Sequence, residues 1–224
     1  MSRTSVRLFA MMLTVLAGAV ACRAGNGASV VVPGPLLDES RATAPGKETA
    51  VVAGGCFWGI QAVFQHVKGV VSATSGYAGG TVKNPDYEAV SSGQTGHAES
   101  VQIVYDPSQV TYGELLRVFF SVALDPTEVN RQGPDEGTQY RSVTFYGDDQ
   151  QKHIAEAYIA QLNQAKVFRK AIATQVVPLQ AFYPAEGYHQ NYATLHPNDP
   201  YIVYNDAPKV SNLRREFPEL YTGK

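Results

Sequence analysis

The sequence predicts an α/β or α+β fold: a single two-layer domain, a mixed β-sheet flanked by helices, with long loops and an irregular C-terminal tail. Three observations point there. From Lys47 onward, strand-like and helix-like segments are interleaved without an internal repeat. Hydrophobic residues make up 44% of the 224 residues, enough for a real core in a chain of one-domain length. The 20 glycines and 13 prolines gather into long connecting stretches and the C-terminal part.

The elements follow in order. Glu48 to Ala53 is a short apolar strand. Apolar residues at 57, 60, 63, 64 and 67 give a helical period over Phe57 to Val67. Val70 to Gly76 is a second strand, and residues 78–98, rich in Gly and small polar residues, form a long loop of the kind that usually carries function. In Glu99 to Tyr105, Val101, Ile103 and Tyr105 alternate onto one face, the mark of a half-buried strand. Thr111 and Glu114 form a capping box that opens a helix over 112–123. Asp125 to Tyr140 is a second polar loop, Ser142 to Tyr146 a strand, and Asp148 caps a helix running to about Lys166. Gln175 to Gln180 is the last clear strand, and the prolines at 184, 197, 200, 208 and 218 predict an irregular remainder.

The N-terminal part reads differently. Arg3 and Arg7 precede an uncharged run from Leu8 to Ala21, a basic segment and an apolar segment of signal-peptide length. That run is short for a permanent membrane span. Ala19-Val20-Ala21-Cys22 fits either plain export cleavage or a bacterial lipoprotein signal in which Cys22 carries the lipid. The expected organisation is therefore a signal peptide over 1–21, a flexible tether over 22–46 and a folded domain over 47–224. The expected location is the periplasm of a bacterium, soluble or anchored to a membrane through Cys22.

Composition narrows the chemistry. A formal charge of −2 gives no bulk attraction for nucleic acid. Two cysteines make neither a disulfide scaffold nor a Cys-rich zinc site, and the five histidines show no HExxH pair, so no metal is expected.

The most informative stretch is Gly54-Gly55-Cys56-Phe57-Trp58-Gly59. A strand ends in two glycines, a cysteine follows and a helix begins. The unpaired N–H groups of a helix start carry positive potential, which stabilises a thiolate and lowers its pKa. The two glycines leave room for another molecule to approach the backbone. This is the setting of a nucleophilic cysteine. A free cysteine that serves only as a small buried hydrophobe fits the same local pattern. Phe57 and Trp58 are core residues or the lining of a small apolar pocket.

GGCFWG at 54–59, GYAGG at 76–80, Asn84-Pro85 with Tyr87, GHAESVQIVYDP at 96–107, DP at 125–126, NRQG at 130–133, GTQYRS at 137–142 and YHQNY at 188–192 stand in one order. Through these motifs the chain resembles the peptide methionine sulfoxide reductase A family over about Thr49 to Tyr192 or beyond. The resemblance implies reduction of methionine S-sulfoxide, free or in oxidised proteins. It implies Cys56 as nucleophile, Glu99 as proton donor, and Tyr87 and Tyr140 as donors to the sulfoxide oxygen. Phe57 and Trp58 would hold the S-methyl group, with Asp135 in the pocket through a water or a hydrogen bond. His97, Glu186 and His189 fall in matched segments and would orient their neighbours. The expected product on the enzyme is a Cys56 sulfenic acid. No cysteine follows Cys56; an unlipidated Cys22, 34 residues upstream on a flexible segment, is the other candidate within the chain, and the expected reductant is an external thiol, a thioredoxin-like protein or a small thiol. No bound cofactor is implied, and the chain is expected to act as a monomer. Two other readings fit the cysteine: a thiol peroxidase, and an anchored module that binds oxidised methionine without turnover.

Overall fold

A computed structural model of the chain describes residues 29–223. The signal segment and Cys22 lie outside the described residues. The strands are β1 (Glu48–Ala53), β2 (Val70–Ala78), β3 (Ala98–Tyr105), β4 (Arg131–Gln132), β5 (Asp135–Glu136), β6 (Val143–Tyr146), β7 (Gln175–Pro178) and β8 (Phe182–Pro184). The α-helices are α1 (Phe57–Gln65), α2 (Tyr87–Ser91), α3 (Tyr112–Val118), α4 (Asp149–Gln164), α5 (Tyr192–Leu195) and α6 (Ala207–Glu216). Six strands form one sheet in the order β7-β6-β1-β3-β2-β8, and β4 and β5 make a separate two-residue hairpin. All pairings in the large sheet are antiparallel except β6 with β7. The sheet is mixed and flanked by helices, as expected.

The period-two pattern explains β1 and β3. Ala50 and Val52 belong to the main core with Phe57, Ile60, Val63 and Phe64 of α1, while Val51 and Ala53 face a second cluster with Ala78, Ala98, Val143 and Phe145. Val101, Ile103 and Tyr105 share the main core, as their alternation predicts. Thr111 and Glu114 form both bonds of the capping box at α3, and Asp148 accepts from the Gln151 N–H at 2.8 Å to start α4. The helix predicted over 112–123 continues from α3 into a wider π turn at Phe119–Ala123.

Two expectations change. The C-terminal segment is not irregular throughout: β8 is followed by a 3₁₀ turn at Gly187–His189, by α5, by a π turn at Ile202–Asp206 and by α6. The prolines sit where helices tolerate them, Pro208 in the first turn of α6 and Pro218 beyond its end. The predicted tether is also not free over 29–46. Val32 is 0% exposed, with its N–H on Ser121 Oγ (3.2 Å) and its carbonyl on Arg117 Nε (3.1 Å). Gln161 pairs with the Leu36 N–H and the Gly34 carbonyl. Asp38 accepts from the Gly113 N–H (2.9 Å) and the Thr111 hydroxyl (2.6 Å), and Glu39 from the Tyr112 N–H (2.6 Å). The physical reason is the start of α3, whose free N–H groups two carboxylates satisfy. Asp38→Ala is expected to lower stability by about 1–2 kcal/mol in urea unfolding, the usual effect of losing a helix cap.

Candidate active site

Cys56 stands at the N-cap of α1, where β1 ends. Gly55 has φ +93°, which a side chain rarely adopts, and its N–H donates to the Tyr140 carbonyl at 3.2 Å. A Cβ at Gly54 would meet Leu124 at 2.7 Å, and one at Gly55 would meet the Gln132 side chain at 2.6 Å. The glycines thus admit the chain's own loops rather than an outside molecule, correcting the expectation from sequence. Through Gly55 the loop that carries Tyr140 is tied to the cysteine.

Glu99, near the start of β3, is 3% exposed, and its Oε2 accepts the Phe57 N–H at 3.1 Å. Burial is the main force on this carboxyl. It outweighs the Phe57 hydrogen bond and, with Asp135 and Asp206, pushes the pKa up to about 8. Glu99 is therefore protonated at neutral pH. Cys56 is 7% exposed, and its thiol is pushed well above the usual value, first by burial, then by Glu99 and Asp206. The Trp58 backbone N–H and Lys209 pull the other way without prevailing. Sequence reasoning expected the helix start to lower this pKa. In the folded protein desolvation wins, and the resting cysteine is a neutral thiol.

The other predicted residues fall into two groups. Tyr87, at the start of α2, and Tyr140 both sense Glu99, Cys56 and Asp135 electrostatically, and burial raises both hydroxyls. Asp135 accepts a hydrogen bond from the Tyr201 hydroxyl, and burial raises its pKa. Trp58 stacks on Tyr192 with centroids 3.9 Å apart, meets Tyr201 edge-on at 6.0 Å, and donates its Nε1–H to His189 Nδ1 at 3.3 Å. That bond leaves the His189 proton on Nε2, and burial keeps the ring neutral. His189 also packs against Phe57 (5.0 Å) and Tyr87 (4.5 Å). Glu186 accepts from the Tyr87 N–H and the Tyr77 hydroxyl, both at 2.8 Å. Cys56, Phe57, Trp58, Tyr87, Glu99, Asp135, Tyr140, Glu186 and His189 thus form one cluster. His97 works elsewhere: its ring accepts the Gly80 N–H at 3.1 Å and bonds the Val82 carbonyl at 2.8 Å, pinning the loop after β2.

Tyr192, Tyr201, Asp206 and Lys209 complete the cluster and were missed by sequence reasoning. Asp206-Ala207-Pro208 followed by Val210, Leu213 and Phe217 is a readable helix start with a helical apolar period. The five scattered prolines masked it. Among the described residues no group of three His, Cys, Asp or Glu side chains is placed to hold a metal.

A buried neutral thiol, a protonated carboxyl and converging hydroxyls on an apolar floor define the site of a cysteine-based oxidoreductase. The comparisons are specific. The model of the family described as peptide methionine sulfoxide reductase matches residues 48–220. Peptide methionine sulfoxide reductase MsrA 2 of Mesorhizobium japonicum is 61% identical over 188 residues, spanning 84% of this chain and 95% of that protein. Methionine sulfoxide reductase A of Corynebacterium diphtheriae superposes with a TM-score of 0.60 at 36% identity, covering 79% of this chain and 92% of that one. Reduced Mxr1 of Saccharomyces cerevisiae gives 0.61 at 33% identity, covering 68% and 87%. This chain belongs to the peptide methionine sulfoxide reductase A family and is an oxidoreductase.

Proposed function

We propose that the chain reduces the S-sulfoxide of methionine, free or in oxidised proteins, through a sulfenic acid on Cys56. The observation that carries this reading is the pairing of a buried thiol with a carboxyl, Glu99, that keeps its proton near neutrality. Sulfoxide reduction needs both: sulfur to attack sulfur, and an acid for the oxygen. The S-methyl group sits against Phe57 and Trp58, and the oxygen faces the hydroxyls of Tyr87 and Tyr140. As Cys56 Sγ bonds to the sulfoxide sulfur, the Glu99 proton passes to the oxygen and the Cys56 proton leaves. The hydroxyl then passes from the methionine sulfur to Sγ as the bond between the two sulfurs breaks, so methionine departs as the thioether and Cys56 is left as S–OH. The thioether gains two electrons and Cys56 loses two, so one thiol and one sulfoxide give one sulfenic acid and one sulfide.

An external dithiol, thioredoxin-like or small, then attacks the sulfenic sulfur, releases water and resolves the mixed disulfide with its second thiol. No cysteine follows Cys56, and the one that precedes it, Cys22, is the lipid site in this reading. The basic and apolar start of the sequence supports export, with Cys22 as a lipid site. Mass spectrometry of membrane-extracted protein is expected to find an acylated Cys22 as the first residue.

The test of function is an assay on resolved methionine sulfoxide epimers with dithiothreitol. Methionine is expected from the S epimer alone, with one trappable sulfenic acid per chain when reductant is withheld. Equal use of both epimers, or turnover without oxidation of Cys56, overturns the reading.

A further inference from the structure

Asp206 is a carboxylate that its own helix does not use. It occupies the N-cap of α6, where an aspartate ordinarily bonds the free N–H groups of the following turn, yet its side chain makes no such bond. The carboxylate turns instead toward α1. Its Oδ1 accepts from Lys209 Nζ at 3.0 Å, and its Cγ would lie 2.6 Å from a Cβ on Gly59. Gly59 is the third residue of the helix that Cys56 caps. Asp206 therefore fills the space of an N3 side chain, the place from which an acidic group reaches back to the N-cap in a capping box. The residue is 0% exposed, and its Oδ2 is buried without a hydrogen-bond partner. An unpaired buried carboxylate oxygen is costly and calls for a reason.

The proton inventory supplies one. Attack by a neutral thiol releases a proton from Cys56 while another goes to the sulfoxide oxygen. The groups around Cys56 are Glu99 from β3, Tyr87 from α2, Tyr140 and Asp135 from the second loop, His189, Tyr201, and the Asp206–Lys209 pair. Glu99 already holds a proton, and Asp135 is engaged by the Tyr201 hydroxyl. His189 spends Nδ1 on Trp58, and Glu186 is taken by Tyr77 and Tyr87. Among the described residues, Asp206 Oδ2 is the buried carboxylate oxygen that has no hydrogen-bond partner.

We propose that Asp206 takes the Cys56 proton, directly or through one water, as the sulfur attacks, with Lys209 holding the carboxylate in place. This rests on the sulfoxide-reductase reading. The S–H bond breaks toward Asp206, its electron pair forms the bond to the sulfoxide sulfur, and the Glu99 proton goes to oxygen. Once methionine has left, the proton on Asp206 returns to Glu99 through solvent and the carboxyls are reset.

The test is single-turnover formation of methionine by the full domain, without reductant, from pH 6 to 9.5. Asp206→Asn keeps the shape and the acceptor for Lys209 but removes the base. It is expected to be at least tenfold slower than wild type at pH 7, and its rate relative to wild type should climb about tenfold per pH unit as hydroxide takes over the proton. The double variant Asp206→Asn, Lys209→Gln removes the neighbouring cation as well and is expected to show the same profile. It also serves if the single variant fails to fold. A rate within twofold of wild type at pH 7 in the folded variant overturns the proposal, and so does a deficit that stays constant with pH. Absence of methionine from the wild-type enzyme would instead refute the reductase reading itself.

Discussion

Cys56→Ser is expected to lower dithiothreitol-dependent methionine formation by at least about a thousandfold, to the background of the assay, because no other group in the cluster can attack sulfur. Serine is nearly isosteric, and Cys56 is the N-cap of α1, a position that serine favours, so the fold should be kept. Near-UV circular dichroism identical to wild type, with activity lost, is the anticipated pair of results. Appreciable turnover in the folded variant would remove Cys56 from the reaction. The same geometry fixes a second observation. The resting thiol is neutral, so alkylation of Cys56 by iodoacetamide is expected to be slow at pH 7 and to rise as pH climbs past 9. Reactivity toward a sulfoxide at neutral pH then depends on the substrate: a polarised sulfur at the thiol and an oxygen facing Glu99 favour loss of the Cys56 proton at the moment of attack.

Glu99→Gln should produce the next largest effect, a fall of about 10²–10⁴ in the single-turnover rate, because glutamine keeps the bond to the Phe57 N–H but has no acidic proton to give. The sign of the pH dependence follows from burial. Catalysis needs the neutral carboxyl, and its pKa is pushed up to about 8, so the wild-type rate is held below that pH and lost as pH rises through it. The variant lacks this high-pH fall. Stability moves in the same direction: the native state holds the Glu99 proton more tightly than the unfolded chain. The stabilisation is complete below the ordinary carboxyl pKa and is lost as pH rises through about 8. Urea unfolding from pH 5 to 8 should show a decline in wild type that Glu99→Gln flattens. A wild-type rate unchanged from pH 7 to 9.5 would remove Glu99 as the donor.

What could be read from the sequence is what local chemistry determines. The short apolar run of β1, the alternation of β3, the Thr111 and Glu114 capping box and the cysteine at a helix start are short-range patterns, and the structure contains all of them. Cys56 and Glu99 are 43 residues apart, yet the backbone bond from Phe57 joins them, and only the family motifs linked them in advance. The protonation state of Cys56 was misread because a helix terminus is a local feature, whereas burial and the acidic side chains of Glu99 and Asp206 are supplied by distant strands and helices. The C-terminal helices were hidden by prolines that punctuate them without breaking them. The segment over 29–46 looked like a linker because its composition is poor in bulky side chains. Its attachment depends on one valine and two carboxylates meeting the ends of groups far along the chain.

That attachment sets the geometry of any anchor at Cys22. Only residues 23–28 separate Cys22 from Ser29, whose hydroxyl bonds Arg215 and Glu216 of α6, and six extended residues reach at most about 20 Å. A lipid-bearing enzyme would ride on a short mooring close to the bilayer, free to swivel but not to roam, and the oxidised proteins within its range would be those at the membrane surface.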